Sequence, residues 1–302
     1  MNIRKKILWF GLLLVCEVSV LHPQQHKTDF PLTLKDVLGR TLILNEPPRR
    51  VVSLSPGITE ILFAIGAGNQ VVGITQYCNY PPEAQSRTKV GGFSGSTVNI
   101  EHIARLKPDM VLLSGFMHER LIPLLERLSI PVFALEPQNF EEVYRTIEDI
   151  GRLTGNLRSA GTVITGMQEK IRQAEARRGN RERPGVFWEL SDEPLITAGG
   201  NTFISEAIYL AGGRNVFADL QEQWPTVNTE QVLLKSPVWI IAGDDHGKAI
   251  EPRSLARRPG WSKIPGVRDN RIALVNADWL YRYGPRLADA VMSIAEILWG
   301  KP

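Results

Sequence analysis

The sequence predicts an α/β protein of two lobes, each with a parallel-rich sheet, bridged by one long α-helix and enclosing a ligand cleft between the lobes. Three observations carry this. A strand, helix, strand unit occupies Arg49 to Ile74, a helix-then-strand pattern recurs in each half of the chain, and a long helical run separates the halves.

In the first unit Val51, Val52 and Leu54 form a β-prone run that stops at Ser55-Pro56-Gly57. Ser55 is placed to cap a helix, and Pro56 suits the first helical position, where its missing N–H would have no intrahelical partner. Ile58, Ile61, Leu62 and Ile65 recur at helical spacing, Gly66-Ala67-Gly68 closes the helix, and Val71 to Ile74 restarts an extended run. The strand-to-helix turn lies at the carboxyl end of a strand, where open α/β sheets hold ligands, so Ser55 is a candidate contact.

Upstream, Phe30 to Leu34 and Thr41 to Leu44 flank Leu38-Gly39-Arg40 as a hairpin. Downstream, polar loops at 75–82 and 89–96 precede a helix (Ile100 to Leu106), a strand (Met110 to Leu113), a helix (Arg120 to Leu128) and a strand (Val132 to Leu135). Strands alternating with helices are the pattern of a parallel sheet covered on both faces, so each lobe is expected to be Rossmann-like. Phe140 to Leu153 is helical, and a second run from Ser159 to about Arg178 keeps Val163, Ile164, Met167 and Ile171 on one face. At about 30 Å for twenty residues, this run is long enough to be a strut between lobes. The second lobe then offers the strand Val186 to Leu190, a helix through Ile204 and Ile208, strands at Val238 to Ile241 and Ile272 to Val275, a long loop from Gly243 to Pro265 and a terminal helix from about Pro285 to Trp299. The expected division is an export signal over 1–20, a first lobe over 21–154, the bridging helix over 155–183 and a second lobe over 184–302.

The repeat is specific in spacing. Asn99, Glu101 and Pro108 ahead of one apolar run match Asn228, Glu230 and Pro237 ahead of another. Glu101 and Glu230 each fall near the start of a helix, where a carboxylate either simply favours the helix dipole or presents one acidic group per lobe to a pseudo-symmetric basic partner.

The formal net charge of +3 is accounted for by Arg4, Lys5 and Lys6, which leaves a neutral body and argues against a nucleic-acid partner. Those residues and the apolar run Ile7 to Val15 form an export signal too short to span a bilayer comfortably. Cys16 stands where a bacterial lipoprotein signal carries its lipid, although Val15 replaces the usual small residue. Lipidation, cleavage further on and an uncleaved anchor all stay open. Cys78 is then left alone and reads as a buried small hydrophobe. The histidines form no close pair, no HExxH, GxSxG or CxxC occurs, and Gly66-x-Gly68 ends a helix instead of opening one. A metal site, a cofactor and an enzymatic activity are therefore not expected.

The loops at strand ends carry many aromatics, among them Tyr77, Tyr80, Phe93 and Phe116 in the first half and Trp188, Trp224, Trp279, Tyr281 and Tyr283 in the second. Such a set suits a cleft that grips a large, planar, partly apolar ligand. Arg282 is placed to meet a ligand carboxylate or amide, or to pair with Asp278.

Through RVVSLSPGITEILFAIG, TQYCNYPPEAQ, NIEHIARLKPDMVL, QEQWPTVNTEQVL and NADWLYRYGPR, the chain from about Arg50 to Trp299 resembles the cobalamin-binding receptors of bacterial ABC importers, periplasmic proteins whose lobes share a single long helix. The resemblance implies that Tyr77, Trp224 and Arg282 line a cobalamin cleft and that Glu101 and Glu230 dock on arginines of a permease in the cytoplasmic membrane. It further implies a monomer in the periplasm or cell envelope. Phe93 replaces a tryptophan of those receptors, and Ser114 stands near another. Relatives of the same architecture bind haem or iron siderophores, for which Tyr77 or Tyr80 could ligate iron.

Overall fold

The computed structural model describes residues 28–244 and 252–300; the export segment with Cys16, and His246, lie outside the described residues. The hairpin β1 (Leu32–Lys35) and β2 (Thr41–Leu44) comes first. The first lobe follows as β3 (Val51–Ser53), α1 (Pro56–Ala64), β4 (Val71–Ile74), β5 (Thr88–Lys89), α2 (Ile100–Arg105), β6 (Met110–Ser114), α3 (Ile122–Arg127) and β7 (Val132–Leu135). Helices α4 (Phe140–Thr154) and α5 (Leu157–Arg178) lead to the second lobe. There the order is β8 (Gly185–Asp192), β9 (Leu195–Thr197), α6 (Phe203–Leu210), β10 (Arg214–Asn215), α7 (Thr229–Lys235), β11 (Trp239–Gly243), α8 (Pro252–Arg257), α9 (Pro265–Arg268), β12 (Ile272–Val275), α10 (Ala277–Tyr281) and α11 (Leu287–Trp299).

The first sheet is parallel throughout in the order β5-β4-β3-β6-β7. The second runs β10-β8-β11-β12, also parallel, with β9 added antiparallel to β8. Strands β4-β3-β6-β7 and β10-β8-β11-β12 thus hold the same places in two copies of one plan. Helices α2 and α7, which feed β6 and β11, are counterparts. Each runs back along the strand it feeds, so its first turn lies at the carboxyl edge of its sheet.

Alternation along the strands decides which core each side chain joins. Val51, Met110, Leu112, Phe133 and Leu135 face one apolar interior, while Val52, Val111, Leu113 and Ala134 face α2 and α3 in a separate cluster. In the second sheet Val186, Trp188 and Ile241 point inward, whereas Phe187 and Ile240 pack with Trp261 on the far side. The inward residues of both sheets meet one continuous core through α4, α5 and α11, with Ile147, Ile150, Met167, Ile171 and Ile294 all buried. Helix α5 buries Ala160, Met167, Ile171 and Ala174 as a single stripe between α4 and α11. A Cβ at Gly151 would come 2.5 Å from the Ala160 methyl, so the close passage of α4 past α5 requires glycine there.

Three local expectations are corrected. Ser55 stands at the N-cap of α1, but its hydroxyl accepts no backbone N–H. The stretch Gly243 to Pro265, read as one loop after β11, contains α8 and a 3-10 turn over Trp261–Lys263, both too short to show a helical stripe. The helix expected from Arg120 is a 3-10 turn over Glu119–Leu121 followed by α3, with Pro123 at its start.

Helix α4 also carries a testable electrostatic cost. Burial pushes the partly buried Asp149 carboxyl up to about 6, against the pull of Arg152. A raised carboxyl favours the folded state in its neutral form, so that contribution is complete below about pH 4 and is lost as pH rises through about 6. Asp149→Asn is therefore expected to gain about 1–2 kcal/mol at pH 7.5 and nothing at pH 4, read from urea unfolding at the two pH values.

Candidate functional site

The carboxyl ends of the strands in both lobes converge on a cavity of about 650 Å³. That volume lies within the range of small-molecule sites. Every loop that lines it follows a strand: Ser55 after β3, Tyr77 after β4, Phe93 after β5 and Phe116 after β6 in the first lobe. From the second lobe come Thr202 after β9, Trp224 after β10 and Arg282 after β12 with α10.

The structure brings Ser55, Tyr77, Phe93, Phe116, Trp224 and Arg282 to one cavity. It does not bring Trp188 or Trp279. Trp188 is fully buried in β8 on the face that meets the shared core, and Trp279 on α10 packs against that same core. Both were expected among loop aromatics; each is instead on a regular element whose periodicity turns it inward. Phe116 is 80% exposed and Tyr77 56%, so these rings stand free in the cavity instead of filling the core. Tyr77 and Phe93 meet edge to face with centroids 5.9 Å apart. Tyr283 stacks on Phe203 at 4.2 Å and forms part of the second-lobe wall.

Arg282 is already committed. Its guanidinium lies 2.7 Å from the Asp278 carboxylate and 3.8 Å from that of Glu60, and it donates to Asn79 Oδ1 across the lobe boundary. Glu60, on α1, is 3% exposed and accepts both arms of the Arg286 guanidinium. Burial pushes the Glu60 carboxyl above its ordinary value, outweighing the opposing pull of Arg286 and Arg282. Arg286 in turn lies 3.9 Å over the Tyr80 ring, so that ring is a platform inside a cross-lobe network.

On the first-lobe side, Glu136 accepts from Ser114 Oγ and from the Phe116 amide. His118 is 1% exposed and lies under the cavity. Burial pushes its imidazole pKa down despite nearby Glu136, so the ring stays neutral. Reading the residues one by one missed Glu60, His118, Glu136 and Arg286. Glu60 carried a signal: an acid within a first turn and a half of α1 in which every neighbour is apolar, small or Thr59.

Glu101 and Glu230 occupy the second positions of α2 and α7, both exposed and outside the cavity lining. Asn99 caps α2 by accepting from the His102 amide, and Asn228 forms a capping box with Gln231 on α7. Among the described residues no group of three His, Cys, Asp or Glu could hold a metal, and no helix is long and apolar enough to cross a membrane. Cys78 is buried beside Thr75 Oγ1.

Comparison with known proteins adds to this geometry. Over 284 residues the chain is 32% identical to an uncharacterized ABC transporter substrate-binding lipoprotein, YvrC, of Bacillus subtilis, covering 91% of this chain and 88% of that one. Over 254 residues it is 30% identical to a vitamin B12-binding protein of Vibrio cholerae, covering 83% and 90%. The crystal structure of the periplasmic vitamin B12-binding protein BtuF of that species superposes with a TM-score of 0.68 at 28% identity, over 83% of this chain and 97% of that one. That of a possible iron-binding, periplasmic solute-binding protein of Staphylococcus epidermidis gives 0.75 at 25% identity, over 84% and 100%. Residues 51–278 match the periplasmic binding protein family, and with two lobes, a long helix between them and a cavity at their facing strand ends, the chain belongs to that family.

Proposed function

We propose that this protein is the receptor of an ABC importer and that it captures a cobalamin-like corrinoid between its lobes. One observation supports that ligand class above others. The cavity offers exposed aromatic rings, while among the described residues the charged side chains around it are Glu136, Asp278 and Arg282, which is already paired. A flat ligand with a neutral, amide-rich rim matches such a cavity, because amides exchange hydrogen bonds with Glu136, Asn201, Gln138 and Gln223 without requiring a free cation. Haem carboxylates and anionic siderophore complexes would need cations that Arg282 cannot supply while it holds Asp278. The B12-binding relatives agree with this choice.

Glu101 and Glu230, at matched positions on matched helices, serve as the two handles for the permease. The protein acts as a monomer in the cell envelope, held there by lipid on Cys16 after cleavage ahead of that residue. The name of the B. subtilis relative agrees with such an anchor.

Titration calorimetry of the protein without its export segment is expected to give saturable heat at one site with cyanocobalamin and none with ferric siderophores. Absence of heat with any corrinoid would reject the corrinoid assignment. A second reading, haem, is favoured by one feature, the exposed Tyr77 hydroxyl in the cavity, which could ligate iron. A Soret shift on adding haem, lost in Tyr77→Phe, would establish it in place of the first.

A further inference from the structure

The first-lobe rings that face the cavity are held from beneath. Phe116 and Tyr77 are more than half exposed and Phe93 is 44% exposed, so burial restrains them little. Their positions depend on the backbone that carries them. Both relevant loops meet at His118. The Ser114 amide, at the end of β6, donates to His118 Nδ1 at 3.3 Å. His118 Nε2–H donates to the Phe93 carbonyl at 3.0 Å, the tautomer being set by the amide donor on the other nitrogen. Beside it the Gly95 amide donates to the Met117 carbonyl. The Phe93 loop is itself a tight clip, closed by the Gly92 amide on the Thr97 carbonyl. Phe93 then supports the Tyr77 ring edge to face.

We propose that His118 is a positioning residue for ligand capture: one neutral imidazole, bonded at both nitrogens, couples the Phe93 clip to the Ser114–Met117 turn and so sets the spacing of the first-lobe aromatic wall. The wall is the surface on which the corrinoid of the preceding proposal would stack, and the inference rests on that reading for its affinity arm. Neither ring nitrogen is left to coordinate a ligand metal or donate to a ligand, which separates this role from direct contact.

His118→Leu fills the same space without either hydrogen bond, and His118→Gln keeps a donor and an acceptor. The Leu variant is expected to bind cyanocobalamin at least about tenfold more weakly, with Gln recovering part of the loss. Amide exchange, measured without ligand, is expected to speed up about tenfold in both the 91–97 and the 114–118 segments of the Leu variant, while β3, residues 110–113 of β6 and α11 keep their protection. A Leu variant with unchanged affinity and unchanged exchange would overturn the proposal. So would uniform acceleration across the chain with Leu and Gln equally impaired, since that is the signature of a packing role alone. If the unaltered protein takes no corrinoid, the ligand assignment fails by itself; the exchange arm still upholds or overturns the coupling.

Discussion

Glu60→Leu is expected to lower the unfolding free energy by about 3–5 kcal/mol, measured by chemical denaturation, because it removes one partner of a buried ion pair together with both hydrogen bonds to Arg286 and leaves that guanidinium without compensation. Glu60 faces two guanidinium groups from the opposite lobe, Arg286 through two hydrogen bonds and Arg282 at 3.8 Å. The backbones are equally close, since a Cβ at Gly57 would lie 3.0 Å from the Tyr283 carbonyl oxygen. The raised Glu60 carboxyl also shows that desolvation outweighs the attraction. The pair as a whole is then worth far less than the cost of halving it. The double variant Glu60→Leu with Arg286→Met is accordingly expected to recover most of the lost stability. A single variant within about 0.5 kcal/mol of the parent would show that water reaches this network freely.

Reversal of both carboxylates proposed to dock, Glu101→Arg with Glu230→Arg, is expected to abolish ligand uptake by cells that carry the cognate permease, while affinity in solution stays within about twofold. Both side chains are exposed and lie outside the cavity, so binding has no reason to change. Each substitution also forfeits a favourable contact with a helix N-terminus, worth about 0.3–1 kcal/mol, which the fold can absorb. Each single reversal is expected to leave partial uptake. Full uptake by the double variant would move docking to another surface.

Much of the plan was legible because the determinants are local. Pro56 after a β-prone run announces the turn from β3 to α1, and the repeated Asn-x-Glu spacing identifies α2 and α7 as counterparts before any coordinates. The misplaced tryptophans had local signals as well. Trp188 shares the strand parity of Val186, a residue of the shared core, so alternation alone turns it away from solvent. The two-residue strands β5 and β10 were beyond reach, since two residues have no period and pair only through neighbours elsewhere. The polar supports of the site were hidden for a related reason. Glu60 and Arg286 are 226 positions apart, and His118 meets a carbonyl 25 positions away, in contacts that only the folded chain creates.

The uninterrupted apolar interior along α4, α5 and α11 has a consequence for how this molecule comes apart. Side chains from both sheets belong to one apolar cluster with Met167 and Ile171 of α5, so neither half owns a complete interior by itself. Heating therefore should not melt one half and spare the other, and damage anywhere along the central strut is felt throughout.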